Sequence, residues 1–373
     1  MENSVTAKSE RVVFLDWLRL VACLMVMLVH ACEAFYFDND GNFAIQSLAD
    51  ARWVSALDGA CRAAVPLFVM ASAYLLFPLT RPTGEFFRRR LVRVLAPFAV
   101  WCCVYNIVND GKWGQMLFNF PMSTGGHLWF VPMLLGLYLL MPLLSPWAEK
   151  ATEKEVRGWL LVWFFTTSFP FLRKLWGHLY GAPDFGAVPF LYGECPWNGF
   201  GMFQYVSGFF GYLLLGFYAR KFLPALSWRK TLAVALPLWL VGWCITAGGF
   251  YFRIPCEGGY PVVKPYACAV DMEMSWEFCG FGVVCTVIAY FLLVRPLMKS
   301  SALHRLVVRP LAEASYGTYL MHMLILTPVV TCLRAHLPMP LTVVATAIAT
   351  FALASLASLT IRRVPVVGKW ICG

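Results

Sequence analysis

Long apolar runs separated by short polar breaks dominate the sequence. Each run has about 20 residues, the length that an α-helix needs to cross about 30 Å of hydrocarbon. Ten such runs predict ten membrane helices, although Pro170 interrupts the fifth and the Gly-rich FCGFG at 278–282 interrupts the eighth. The predicted spans are 13–36, 53–78, 90–108, 128–148, 156–172, 201–222, 230–252, 276–295, 311–333 and 338–360. The pattern predicts an all-α polytopic integral membrane protein with a single membrane domain over 1–373.

Composition agrees with that class of protein. The chain is 60% hydrophobic and 13% charged, whereas soluble domains are about 45–50% apolar and about 25% charged. The first residues, MENSVTAKSER, are polar, and no short apolar region with a small-residue cleavage site follows them. We therefore expect Phe14–Phe37 to be a retained membrane helix and not a cleaved signal peptide.

Basic residues are distributed unevenly between the loops. With the N-terminus in the cytoplasm, the inner segments hold 21 of the 30 Lys and Arg residues and the outer loops hold seven. Since Lys and Arg accumulate in cytoplasmic loops, this bias predicts that both termini lie inside. The net charge of +10 then reflects membrane orientation, and no nucleic-acid partner is expected.

The first predicted helix carries four ionisable residues in an apolar sequence: Asp16, Arg19, His30 and Glu33. Each such group near the middle of a membrane helix costs roughly 2.5–3.5 kcal/mol, so it usually faces the protein interior. Arg19 and His30 are eleven residues apart, which places them on one helix face and about 16 Å apart along the axis. Asp16 and Glu33, each three residues from one of this pair, join the same stripe.

Other spans add polar groups at similar depths. Asp58 and Arg62 have the i,i+4 spacing of an ion pair, and Ser72 follows them in the same span. The ninth span brings Tyr319 and His322 near one face. Taken alone, a snorkelling Arg19 and a hydrogen-bonded His30 would be a sufficient explanation. Buried polar groups on several helices instead predict a cavity lined by those helices.

The residue types in this cavity limit its chemistry. A neutral imidazole accepts a proton from a hydroxyl at physiological pH. A guanidinium at the cytoplasmic mouth, beside the cluster FFRRRLVR at 86–93, suits a polyanion such as a nucleotide phosphate. No Gly-rich phosphate loop, HExxH or GxSxG motif is present, which argues against ATPase and hydrolase mechanisms.

Cysteine spacing predicts no metal or redox site. The 13 cysteines form no paired Cys-x-x-Cys array, so zinc binding is not expected. Cys256 and Cys268 share one predicted outer loop, where an oxidising compartment would permit a disulfide.

Five motifs, in order along the chain, resemble those of the acyltransferase-3 family of bacterial membrane acyltransferases. They are FLDWLRLVACLMVMLVH at 14–30, RAAVPLFVMASAYLLF at 62–77, FFRRRLVRVLAPF at 86–98, GHLWFVPMLLGLYLLMPLL at 126–144 and SYGTYLMHMLIL at 315–326. The sequence departs from the family pattern at Ala73, where glycine is usual. Each motif is weak alone, but the ordered set extends over most of the chain.

The resemblance implies ten membrane helices in the bacterial cytoplasmic (inner) membrane. It implies transfer of an acyl group, most often acetyl, from cytoplasmic acyl-coenzyme A to a hydroxyl of a surface glycan or lipid-linked sugar. The partners are then the donor, the acceptor and membrane lipids, with no permanently bound cofactor. Some relatives carry a fused extracytoplasmic domain, and this chain is expected to be of the stand-alone type.

By position, the resemblance makes His30 the essential histidine and Arg19 its partner. The basic residues that it associates with the donor are Arg19, Arg62, Arg88, Arg89, Arg90 and Arg93. We expect His30, oriented by Glu33 or Asp16, to take the proton of the acceptor hydroxyl. If an acyl-enzyme forms, the alternatives for its carrier are Ser72, Tyr319 and His322.

Two other functions remain open at this point. A transporter or flippase for a glycan precursor would also place Arg and His along a substrate path, although the halves of the chain show no convincing similarity. A sensor or scaffold would leave the buried charges without a purpose. The outer-loop aromatics Trp113, Trp176, Tyr192 and Trp197 either stack on sugar rings or anchor the protein at the membrane interface.

Overall fold

The computed structural model of the protein describes residues 11–109, 113, 125–180 and 205–373. Its helices are α1 (Val13–Tyr36), α2 (Leu48–Cys61), α3 (Ala64–Leu76), α4 (Thr83–Arg90), α5 (Ala96–Val108), α6 (Phe130–Lys150), α7 (Glu153–Tyr180), α8 (Phe210–Lys221), α9 (Trp228–Tyr251), α10 (Tyr266–Met272), α11 (Phe281–Val294), α12 (Arg309–Arg334), α13 (Met339–Arg362) and α14 (Val367–Cys372). The short strands β1 (Cys256–Glu257) and β2 (Tyr260–Pro261) form an antiparallel hairpin. The fold is all-α, as predicted.

Eight helical segments within the described residues are long and apolar enough to cross a membrane. They are Val13–Tyr36, Leu48–Leu76, Thr83–Val108, Gly126–Lys150, Trp228–Tyr251, Glu273–Val294, His304–Arg334 and Met339–Arg362. Each overlaps one of the ten predicted spans, so the polytopic class is confirmed. The fifth predicted span lies within α7, which is not among the eight. Of the sixth predicted span, the described part includes α8.

The second predicted span is two helices, and it begins earlier than predicted. Ser47 caps the start of α2 by accepting a hydrogen bond from the backbone N–H of Asp50, as N-cap serines do. A turn at Arg62 and Ala63 separates α2 from α3. Pro66 lies in the first turn of α3, where its missing N–H costs no helical hydrogen bond. The break places Arg62 at the end of α2, inside the bundle.

Two π-helical turns interrupt the helices that carry basic residues. One covers Leu91–Leu95, before Pro97, and the other covers His304–Val308, before Pro310. Proline has no N–H to donate to the carbonyl four residues earlier. π-Helical turns are rare in proteins, and those that occur often lie at functional sites. Each shifts the phase of the residues before it, which include Arg88, Arg89 and Arg90 in the first case, and Arg93 lies within that turn.

Helix α1 lies inside the bundle, where it packs against α2, α3, α11, α12 and α13. Small residues let other helices approach closely, as is usual where lipid supplies no hydrophobic drive for helix association. At Gly216 in α8, an added Cβ would lie 2.7 Å from both Ala73 Cβ and the Met70 carbonyl oxygen of α3. The methyl group of Ala73, present where the family usually has glycine, is therefore accommodated by a glycine on the facing helix.

Both ends of the described chain lie on one side of the bundle. Arg11 Nη1 donates to Glu313 Oε1 at 2.5 Å, and Arg362 Nη1 donates to the Glu313 carbonyl oxygen. We call this side the basic face. The opposite side, the outer face, carries the hairpin and a backbone pairing between Phe43 and Lys264. Cys256 and Cys268 on that face are free thiols, so the disulfide that the sequence permits is not formed.

Candidate active site

Two adjoining cavities open toward opposite faces of the bundle. One, of about 920 Å³, lies toward the basic face and is called the basic chamber. The other, of about 790 Å³, lies toward the outer face and is called the histidine chamber because His30 and His127 line it. The residues that line both are Val26, Val65, Phe130 and Tyr319. We call these four residues the shared wall, and they divide the single cavity that the sequence predicts.

The basic chamber concentrates positive charge. Its charged lining residues are Arg19, Arg88, Arg89, Arg90, Arg93, Arg362, Lys369 and the carboxylate Glu313. Glu313 is also paired with Arg309 at 3.1 Å outside this lining. The chamber is therefore strongly cationic, and its arginines present planar donors that fit phosphate oxygens.

Not all of these arginines are equally available for a ligand. Arg89 pairs with Glu85 at 2.7 Å. The Arg90 guanidinium lies over the rings of Phe86 and Tyr138, and its buried Nε has no hydrogen-bond partner. A buried donor without a partner is costly. Arg89 is therefore already matched by a carboxylate, whereas no carboxylate pairs with Arg90 in the described part of the chain.

His30 and Glu33 form a hydrogen-bonded pair in the histidine chamber. His30 Nδ1 lies 2.8 Å from Glu33 Oε2, one turn along α1. Because the carboxylate accepts, we assign the ring proton to Nδ1, which leaves the lone pair on Nε2. The His30 side chain is 18% exposed and lines the chamber. A base held by a carboxylate and open to a cavity is the arrangement that removes a proton from a bound hydroxyl.

Two more imidazoles lie beside His30. The ring of His322 is 5.1 Å from that of His30, and the ring of His127 is 5.0 Å from that of His322. His322 is fully buried, its Nδ1 lies 2.5 Å from the Tyr319 carbonyl oxygen, and its Nε2 has no partner. No group of three or more His, Cys, Asp or Glu side chains in the described part of the chain has the geometry of metal ligands.

The three alternatives for an acyl carrier occupy different positions. Ser72 lines only the basic chamber, and Tyr319 belongs to the shared wall. The Tyr319 hydroxyl donates to the backbone carbonyl of His127, so it is already engaged. His322 lines neither chamber.

Arg62 is separated from the other basic residues of the prediction. It forms a two-pronged ion pair with Asp58, whose Oδ2 lies 3.0 Å from Arg62 Nη2, and it lies 4.2 Å over the Trp276 ring. The i,i+4 ion pair is therefore formed as predicted. Arg62 lines the histidine chamber and not the basic chamber. Its charge is matched by a fully buried carboxylate, and it lies apart from the arginines of the basic chamber.

Asp16 is placed at the basic face, remote from the imidazole of His30. It is fourteen residues earlier in α1, or about 21 Å along the helix axis. Its carboxylate accepts from Arg11 Nε at 2.6 Å and lies 3.0 Å from His304 Nε2. Arg19 Nη1 is 3.9 Å away. Of the two carboxylates predicted to orient His30, Glu33 is thus in contact with it, and Asp16 instead joins the start of α1 to the turn before α12.

The outer mouth of the histidine chamber is aromatic. Trp129 and Phe278 line it with ring centroids 5.3 Å apart, and Phe37 and Tyr266 line it as a second pair. These rings were not identified from the sequence, because they come from separate segments. Of the four predicted aromatics, the exposed Trp113 and Trp176 line neither chamber. Residues 192 and 197 lie outside the described residues.

A family model described as an acyltransferase domain matches residues 12–359. No curated protein matches the chain. No solved structure matches it either.

Proposed function

Because the chain belongs to the acyltransferase-3 family, we propose that it transfers an acyl group from acyl-coenzyme A to a hydroxyl of a cell-surface glycan or lipid-linked sugar. Membership makes it a membrane acyltransferase that transfers groups other than amino-acyl groups. Acetyl is the acyl group we propose first, with acetyl-coenzyme A as donor. The bacterial cytoplasmic membrane is the location we propose.

The basic chamber supports a nucleotide donor. Coenzyme A carries several phosphates, and the arginine-rich lining places cations around a volume of about 920 Å³. Arg19 and Arg90 project from α1 and α4, so the anion would be held between helices. The uncharged thiol arm of the donor would then extend along Ser72 toward the shared wall, which is largely apolar.

The His30–Glu33 pair supplies the base. As the acceptor oxygen attacks the thioester carbonyl carbon, His30 Nε2 takes the hydroxyl proton and Glu33 stabilises the imidazolium through Nδ1–H. The carbon–sulfur bond breaks, and the thiolate leaves and takes up the proton. The products are the acyl ester and free coenzyme A, with no net change in protons on the enzyme.

The proposal rests on one observation: the two chambers meet at the shared wall and open toward opposite faces of the bundle. Val26 of the shared wall is four residues before His30 in α1, so it lies one turn below the base on the same face. A thioester at the wall is therefore close to the imidazole from one side, and an acceptor hydroxyl reaches it from the other. The aromatic mouth of the histidine chamber, with Trp129, suits the apolar face of a sugar ring.

The test is release of coenzyme A by the purified full chain in lipid nanodiscs with acetyl-coenzyme A and an extract of surface glycans as acceptor. We expect acceptor-dependent release in the wild type and a loss of about 10²–10⁴-fold in kcat for His30→Ala. His336→Ala is the matched control, because His336 is exposed and lines neither chamber. Unchanged turnover in His30→Ala would exclude His30 as the base.

The same assay separates the transferase from a transporter. With donor labelled in the acetyl group, an acyltransferase gives labelled acceptor. A flippase moves the glycan precursor across the bilayer and leaves both substrates chemically unchanged. Movement without any labelled product would therefore contradict the proposed function.

A further inference from the structure

The segment 362–373 folds back over the basic face and lines part of the basic chamber. It contributes Arg362, Gly368, Lys369, Cys372 and Gly373 to the lining. The match to the family model ends at residue 359, before this segment. None of these residues was identified as functional from the sequence.

The segment is held firmly against the bundle. Trp101 Nε1 of α5 donates to the Ile371 carbonyl oxygen at 2.8 Å. Cys372 is fully buried, and a Cβ added at Gly317 of α12 would lie 2.9 Å from its Sγ. Contacts with two separate helices fix α14 as a wall of the chamber.

The turn that leads into α14 is strained. Val366 has φ +66°, the one positive φ of a non-glycine residue within the described ranges. For a β-branched side chain this conformation is a strained outlier that persists only where surrounding contacts impose it. At Gly368, an added Cβ would lie 2.8 Å from Arg362 Cα, so the turn closes tightly. This tight turn reverses the chain, so that α14 packs back against the chamber.

Lys369 is the residue of this segment that is available to a ligand. It is exposed and lines the chamber, and no ion pair or hydrogen bond involves its side chain within the described part of the chain. Arg362, in contrast, is used internally, because its Nη1 donates to the carbonyl oxygens of Glu313 and Gly373. An ammonium with three free donors on a fixed wall suits a phosphate oxygen.

We propose that α14 forms part of the donor site and that Lys369 binds a phosphate of acyl-coenzyme A, an inference that rests on the proposed function. Arg362 acts as a positioning residue that holds the segment in place. The phosphate chemistry is shared with anionic lipid headgroups at the same face, and the nucleotide phosphate is the one we assign. The cationic lining on several sides of the chamber favours a multiply charged ligand over a single headgroup.

The experiment compares Lys369→Ala with wild type, using acetyl-coenzyme A and a phosphate-free acetyl-pantetheine as donors. We expect KM for acetyl-coenzyme A to rise about tenfold, as for loss of one charge-assisted hydrogen bond. We expect kcat, and the KM for acetyl-pantetheine, to stay unchanged. Lys369→Arg restores binding. Arg363→Ala is the matched control, since Arg363 is exposed, six residues away and outside the lining.

Binding of coenzyme A by calorimetry, in detergent without anionic lipid, gives a readout independent of turnover. A tenfold weaker dissociation constant for Lys369→Ala supports the assignment. An unchanged constant, an equal loss with both donors, or an effect that appears only with anionic lipid overturns it. A wild-type chain that neither binds coenzyme A nor releases it contradicts the proposed function itself, whereas an active wild type with an unaffected Lys369→Ala contradicts only this inference.

Discussion

Replacement of Glu33 by glutamine tests the base directly. The change keeps the size and shape of the side chain but removes the negative charge that lies 2.8 Å from His30 Nδ1. The amide also has an NH₂ group, which can face Nδ1 and favour the tautomer with the proton on Nε2. In that tautomer the nitrogen that faces the acceptor has no lone pair, so His30 cannot act as the base.

The size of the effect follows from the exposure of the pair. In a fully buried acid–His–nucleophile arrangement the corresponding acid-to-amide change costs about 10⁴-fold in kcat. The Glu33 side chain is 32% exposed, so solvent screens part of its interaction with the imidazolium. We therefore expect a smaller loss, of about 10- to 100-fold in kcat, equivalent to roughly 1.4–2.7 kcal/mol of transition-state stabilisation.

The assay is steady-state release of coenzyme A by the chain in nanodiscs, with donor concentration varied at saturating acceptor. The KM for the donor should not change, because Glu33 lines only the histidine chamber. Glu257→Gln is the control, since that carboxylate pairs with Lys264 at 2.9 Å and is 70% exposed. A kcat within twofold of wild type, or a loss that appears only in the donor KM, would refute the role given to Glu33.

Two further predictions concern stability and the acyl carrier. Asp58→Asn removes the buried carboxylate that contacts Arg62 at two atoms and leaves only Glu273, whose Oε1 lies 3.7 Å from Arg62 Nη2. We expect a loss of about 3 kcal/mol in the free energy of unfolding, at the low end for a broken buried ion pair, measured by denaturant titration in detergent. Ser72→Ala should retain kcat within about threefold, because within the described residues Ser72 has no hydrogen bond to a base, which a nucleophile needs. Intact-protein mass spectrometry of the wild-type chain after mixing with donor should show no added acetyl group.

Each of these has a matched control. The double variant of Asp58→Asn with Arg62→Met also removes the charge that has lost its buried partner, and it should recover most of the lost stability. Equal stability of the single and double variants would contradict the ion-pair argument. If the wild-type chain gains one acetyl group and the Ser72→Ala variant gains none, direct transfer is contradicted and Ser72 is the carrier.

Local periodicity predicted most of the helices and the placement of α1. Apolar run length identified the eight spanning segments, and the i,i+4 spacing identified the Asp58–Arg62 pair. Helical geometry also put Arg19 and His30 on one face. It did not show that Phe130 and Tyr319, from other helices, come between them. Packing between distant segments decides that division, and a periodic pattern contains no information on it.

The partners of Asp16 show the same limit. His304 is 288 residues away in sequence, and a π-helical turn carries it. His304 lies in a predicted inner loop, and nothing in the sequence around it indicates that its side chain reaches a buried carboxylate. In the sequence, Lys369 is one of the basic residues of the inner segments and indicates only the orientation of the chain. Its place in the basic chamber depends on the strained turn at Val366, which no residue-type preference predicts.

The shared wall has a consequence for what crosses the bilayer. In the proposed reaction, only the uncharged acyl group has to pass Val26 and Val65, while the nucleotide part of the donor stays in the basic chamber. That reaction needs no opening wide enough for a polyanion. The proposed transfer would then modify an acceptor on the far side without moving net charge across the membrane.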